Sequence, residues 1–224
     1  MTPRPEPGPA AARGSEEDLR RPIVLDIVLV VEGRDMKEFF VALLKAMELN
    51  EQIDIRNAGS KDNIGSFLQA LTVASGFDRV KSLGVVRDAD GPPASAFENL
   101  RTALRRARLP APDRPLQVKK KKPAVSVMIL PAPDRAGMLE TLCWEAVKLR
   151  PEIPCITAFL DCVKKATGHP ARNPEKSRFH AYIAVQDKPG LKLGEAASAG
   201  YFPWNSSVFD PLKSFLTALV PARS

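Results

Sequence analysis

Short aliphatic runs alternate with segments of helical periodicity along most of this chain, and that alternation restricts it to a narrow set of folds. Residues 23–31 read as a buried strand interrupted only by Asp26, and residues 52–56, 80–86 and 125–130 read as three more. Between them, Met36, Phe39, Phe40, Leu43, Leu44 and Met47 recur at spacings of three and four. So do Ile64, Phe67, Leu68 and Leu71, and again Phe97, Leu100 and Leu104, which gives three amphipathic helices. Such alternation with short connections implies an α/β fold with a mostly parallel sheet and helices on both faces, because right-handed crossovers lay each helix over the sheet.

The flanks differ in character. Residues 1–22 carry Pro3, Pro5, Pro7 and Pro9 and the cluster Ser15, Glu16, Glu17 and Asp18, with almost nothing apolar to bury, so they read as a disordered arm. Residues 23–133 form the α/β core and residues 134–224 a mainly helical C-terminal extension packed on it. In the extension, Asp134 is placed to cap a helix over 135–149, followed by helices over 154–166, 177–186 and 211–220.

The chain has 33 Lys and Arg against 26 Asp and Glu, a formal charge of +7, which favours a polyanionic partner such as DNA or RNA. Lys119 to Lys122 and the group Arg101, Arg105, Arg106 and Arg108 read equally as a phosphate footprint or as an ordinary solvated surface. Cys143, Cys155 and Cys162 match no zinc or redox spacing and read as reduced, mostly buried thiols. No apolar stretch approaches membrane-spanning length and the N-terminus lacks a signal-peptide layout, so a cytoplasmic protein without a membrane partner is expected. His169 and His180 have no ligand-like spacing.

Chemistry concentrates where two strands end. Glu32 follows the first aliphatic run, and Arg87-Asp88-Ala89-Asp90-Gly91 follows the third. Side chains at the C-terminal ends of parallel strands converge on the crevice where open α/β sheets bind ligands. Clustered carboxylates there repel one another unless a cation neutralises them. Two carboxylates two residues apart share one side of an extended chain, and Gly33 and Gly91 read as supporting turns. Hard oxygen donors suit Mg²⁺ or Mn²⁺. The bland alternative makes Asp88 and Asp90 turn residues and Glu32 a helix N-terminal acid.

Val30-Val31-Glu32-Gly33-Arg34-Asp35, followed by Val85-Val86-Arg87-Asp88-Ala89-Asp90-Gly91, resembles the Toprim domain, in which a glutamate follows the first strand and a D-x-D follows the third. The resemblance covers about residues 24–130. The longer chain looks like a family of short stand-alone Toprim-like proteins without an established activity, distantly similar to the Toprim part of overcoming-lysogenization-defect nucleases. Gly59 to Asn63, Gly137 to Glu140 and Lys188 to Glu195 are the phrases that support this longer match. The resemblance implies a Rossmann-like Toprim sheet, with Glu32 as a general acid/base or metal ligand and with Asp88 and Asp90 holding Mg²⁺. It also implies Glu140 as a further acid for a second metal. A topoisomerase, a primase and an ATPase-bearing nuclease are set aside, since the chain lacks a nucleophile domain, a zinc module and a G-x-x-x-x-G-K-[ST] loop.

Arg34, Lys61 and Arg87 are the candidate phosphate contacts, Arg being suited to bidentate binding. The reading is Mg²⁺-dependent phosphodiester chemistry on DNA or RNA by a small Toprim nuclease. The alternative is a non-catalytic module that binds metal and nucleic acid or a protein partner, as a monomer or homodimer. A third reading takes Asp88-Ala89-Asp90-Gly91 as the nucleophile loop of a dehalogenase-like phosphatase. The aromatic segments around Tyr182 and Trp204 read as packing of the tail against the sheet.

Overall fold

The computed structural model describes residues 9–221. Four strands, β1 (Ile27–Val31), β2 (Ile53–Asn57), β3 (Ser82–Asp88) and β4 (Ala124–Leu130), form one sheet in the order β2-β1-β3-β4. Every pairing is parallel, with Val31 opposite both Asn57 and Val86, and Asp88 opposite Leu130. The α/β class and the parallel sheet are as expected from the alternation.

Helices cover both faces. Val28, Val30, Leu83, Val85, Val127 and Ile129 point to one side, where α3 (Ile64–Leu71) and α4 (Pro93–Arg106) seal them. Ile27, Leu29, Val31, Val86, Met128 and Leu130 point to the other. There they meet α2 (Arg34–Ala46) together with helices of the extension: α5 (Leu139–Val147), α7 (Pro174–Ala184), α8 (Leu193–Ser198) and α9 (Asp210–Leu219). This two-sided burial explains why the strands read as continuous apolar runs rather than alternating ones. An aromatic cluster of Phe39, Phe202, Trp204 and Phe209 joins α2 to the tail, with ring centroids of Phe39 and Trp204 5.3 Å apart. The aromatic residues of the tail thus serve packing, and Tyr182 is buried with its hydroxyl donating to the carbonyl of Tyr201 at 2.8 Å.

Gly84 lets α9 press onto the middle of β3. A Cβ there would lie 2.6 Å from Leu219 Cδ1, 2.9 Å from Leu29 Cδ1 and 3.1 Å from Phe215 Cζ, all in the packed interior. Gly84→Val is therefore expected to cost about 1–3 kcal/mol through overpacking, read as a lower midpoint in urea with an unchanged slope.

The arm reading of residues 1–22 requires correction. Residues 1–8 lie outside the described residues, but α1 (Pro9–Arg20) is helical and lies along edge strand β2. Polar groups hold it there, so the apolar content that disorder was argued from is not what decides the matter. Asp18 is buried and accepts from Asn57 N and from Lys37 Nζ, both at 2.7 Å. Arg56 is fully buried, donates to the main-chain carbonyls of Asp18, Arg21 and Pro22, and pairs with Asp54 at 2.6 Å. Covering the edge in this way removes an exposed template for strand addition.

Two smaller expectations also change. The helix after β4 starts at Leu139 rather than 135, because residues 131–138 run as a loop, and Asp134 does not cap it. Cys143 is buried, with its thiol pushed well up by burial, but Cys155 and Cys162 are exposed on α6 (Ile153–Thr167), so most of the thiols are not buried.

Candidate functional site

Glu32 leaves the end of β1 and Asp88 is the last residue of β3, so the parallel register brings them together at the C-terminal edge of the sheet. Asp88 N donates to Glu32 Oε2 at 3.2 Å, and Leu139 N donates to Asp88 Oδ1 at 2.9 Å. Asp88 thus sits on the N-terminus of α5, where exposed N–H groups favour negative charge. Glu140, the next residue of that helix, lines the same cavity of about 350 Å³ with Glu32, Asp35 and Asp88.

Electrostatics set this cavity apart. Burial raises the carboxyl of Glu32, and the neighbouring Asp90 raises it further against the lowering pull of Arg87. Burial pushes Asp88 well above the usual carboxylate range, with the charges of Glu32, Glu140 and Asp90 adding to it. Asp35 is raised for the same leading reason, loss of solvent. Among the described residues, neither Glu32 nor Asp88 forms a salt bridge. Positive charge arrives instead at the rim: Arg34, Lys176 and Lys192 line the cavity, and Lys176 Nζ lies 3.8 Å from Glu140 Oε1.

Asp90 does not face this cavity. Its backbone is left-handed, with φ of 57°, and its N–H donates to the carbonyl of Gly137 at 2.9 Å. That conformation breaks the extended geometry that would have aligned it with Asp88. The carboxylate instead pairs with Lys61 at 2.5 Å and borders a neighbouring hollow with Lys61 and Arg87. The expectation that Asp88 and Asp90 share one side of the chain is therefore wrong, and although the chain bends at Gly33 and at Gly91, neither bend rests on a left-handed glycine. Gly33 is extended, with φ of −155°, and a Cβ on it would come no closer than 3.9 Å to the carbonyl of Gly59. Gly91 lacks positive φ and has open space around it, so the sharp turn belongs to Asp90.

The other predicted contacts divide between the two hollows. Arg34, the first residue of α2, reaches the cavity rim but binds Glu38 at 2.8 Å. Arg87 is buried, and its Nε donates to the carbonyl of Asp88 at 3.1 Å, which fixes the loop rather than the carboxylate. Sequence reasoning missed Lys176 and Lys192, which come from α7 and from the residue before α8. The signal for Lys192 lay in the run from Lys188 to Glu195. Gly194 in that run lets α8 close on α2, since a Cβ there would lie 2.3 Å from Glu38 Cβ and 2.9 Å from the carbonyl of Asp35.

A donor set of this kind fits a hard dication held by one or two carboxylates and otherwise by water, the usual habit of Mg²⁺. It does not fit an all-protein cage: among the described residues, no three His, Cys, Asp or Glu side chains gather closely enough to hold a metal ion.

A family model described as "Protein of unknown function (DUF3226)" matches residues 26–221. The chain belongs to the DUF3226 family. The DUF3226 match spans the sheet, both cavity-forming helices α2 and α5, and the extension that carries Lys176 and Lys192, and it leaves α1 outside. No curated protein matches the chain significantly. Among solved structures, the C-terminal region of the Xanthomonas campestris pv. campestris OLD protein, phased with mercury, aligns with a TM-score of 0.49 at 13% identity. That alignment covers 88% of this chain and 97% of the other. The same region phased with iodine aligns with a TM-score of 0.43 at 12% identity over the same shares. Among the described residues, no helix is long and apolar enough to cross a membrane.

Proposed function

We propose that this DUF3226 protein carries out Mg²⁺- or Mn²⁺-dependent phosphodiester chemistry on DNA or RNA, with Glu32 and Asp88 as its centre. One observation carries the reading: two acids at adjacent strand ends are pushed toward protonation, chiefly by burial and then by neighbouring carboxylates, Asp90 for Glu32 and Glu32 for Asp88, with no salt bridge among the described residues. Such an arrangement costs stability without a cation, and perturbed acids in a cleft mark function more often than chance. The order of motifs, which resembles Toprim, supports it.

Glu32 and Asp88 would hold the metal, with Glu140 at the margin. A bound dication there supplies Lewis-acid polarisation of a phosphodiester and offsets developing charge. Lys176, Lys192 and Arg34 line the same cavity and would hold the phosphate oxygens by charge-assisted hydrogen bonds. Glu32, whose carboxyl burial raises from its ordinary value, would serve either as a metal ligand or as the general acid/base for a leaving or attacking oxygen. Asp90 would act at one remove, through its charge and its hold on Lys61.

Labelled single- and double-stranded DNA and RNA, incubated with Mg²⁺ or Mn²⁺, test this directly. Cleavage is expected, and Glu32→Gln or Asp88→Asn is expected to slow it by roughly 100-fold or more. Binding without cleavage would favour the non-catalytic module. The dehalogenase-like reading loses ground because it needs both aspartates at one substrate, and these two border different hollows. Turnover of small phosphomonoesters but not of polymers would restore it.

A further inference from the structure

A second concavity, of about 680 Å³, lies between α3 and α4 on the opposite side of the 88–91 loop from the acidic cavity. Its floor is made of small residues, and a Cβ on Gly65 would sit 3.8 Å from Ala103 Cβ, which sets how closely the two helices approach. One wall is a stripe of α4, Asn99, Thr102 and Arg106, at positions that share a helix face. Gln69 of α3 stands across from them. All four are exposed, and among the described residues none of these side chains has a hydrogen-bond or ion-pair partner. At the near end stand Arg87 and the Lys61–Asp90 pair, joined to the loop that carries Asp88.

We infer that this furrow is the track for a single nucleic-acid strand whose scissile phosphate lies in the acidic cavity; the inference rests on the function proposed above. A hollow of about 680 Å³ between two helices in contact, Gly65 against Ala103, has no room for a duplex, whereas an extended strand can lie along it. No aromatic or large apolar side chain lines it, so recognition falls on the sugar-phosphate backbone. Arg106, at the last turn of α4, is a cation without an ion-pair partner among the described residues, whereas at the loop end Lys61 is paired with Asp90, Arg87 is buried and Asp62 also lines the hollow. The helix between them is about 20 Å long, enough for several nucleotides. Neutral donors fill the interval, where Gln69, Asn99 and Thr102 can bond phosphate or sugar oxygens without demanding a base sequence.

Fluorescence polarisation of a labelled oligothymidylate, measured in EDTA so that binding is separated from cleavage, tests the track. Arg106→Glu and Thr102→Glu alter exposed positions, and unchanged circular dichroism and Tm would show that both variants fold. The expected result is roughly tenfold weaker binding for Arg106→Glu, with a salt slope shallower by about 0.7. Thr102→Glu is expected to weaken binding in the same direction. Equal affinity of wild type and both furrow variants would overturn the track while leaving the cleavage reading intact. Preference of the wild type for duplex over single strand, unaffected by Arg106→Glu, would do the same. Absence of binding and of cleavage by the wild type would overturn both.

Discussion

Asp88→Asn is expected to raise the Tm of the metal-free protein while abolishing any response to Mg²⁺. The aspartate is crowded by Glu32, Glu140 and Asp90 in a cavity that excludes much of the solvent, and all of these raise its carboxyl. Asparagine keeps an oxygen to accept from Leu139 N and removes the charge. Relief of about 1 kcal/mol corresponds to roughly 2–4 °C in a chain of this size. The pH dependence fixes the sign. Because the folded protein holds protons on Glu32 and Asp88 more tightly than the unfolded chain does, their contribution favours folding at acid pH. That contribution is lost as pH rises from the ordinary carboxylate range through the raised folded values. Metal-free wild type is thus expected to lose Tm over that interval, with a shallower loss in Asp88→Asn, and Mg²⁺ is expected to bind better as the protons leave. Differential scanning fluorimetry across pH, with and without Mg²⁺, reads all of this. A lower Tm for Asp88→Asn, or a Mg²⁺ shift equal to that of wild type, would refute the metal assignment.

The second large effect belongs to Arg56. It is fully buried, and its guanidinium serves three main-chain carbonyls of the α1 region as well as Asp54. Arg56→Met removes those donors and leaves Asp54 buried with, among the described residues, only the half-exposed Arg21 as a cationic partner, at 2.5 Å. Breaking such a buried network by removing one member costs about 3–5 kcal/mol. For a chain of this size that is a fall in Tm of roughly 6–20 °C. Limited proteolysis should cut within α1 in this variant long before the sheet is attacked. A change in Tm no larger than that of an exposed substitution would show that α1 contributes nothing to stability.

These two residues also mark what could and could not be read from the chain. The four strands and the helices of the core follow from side-chain period alone, because each buries an apolar face against a neighbour. α1 escaped because it docks through Asp18, Arg21 and Arg56, and polar anchoring across more than thirty residues leaves no periodic trace. Glu32 and Asp88 were legible because a parallel register must bring adjacent strand ends together. Asp90 was not, since a single left-handed residue redirects it and the spacing is silent about backbone hand. Lys176 and Lys192 enter from helices whose placement depends on the aromatic cluster and on the close contact at Gly194, both of which are long-range packing events.

The seat of α9 on β3 bears on biosynthesis. While the ribosome is still making the chain, the patch of sheet at Gly84 lacks α9, and Leu29 stays partly uncovered there until Phe215 and Leu219 emerge. A nascent chain paused between β4 and α9 therefore displays a sticky apolar surface, the kind that chaperones bind and that aggregates grow from.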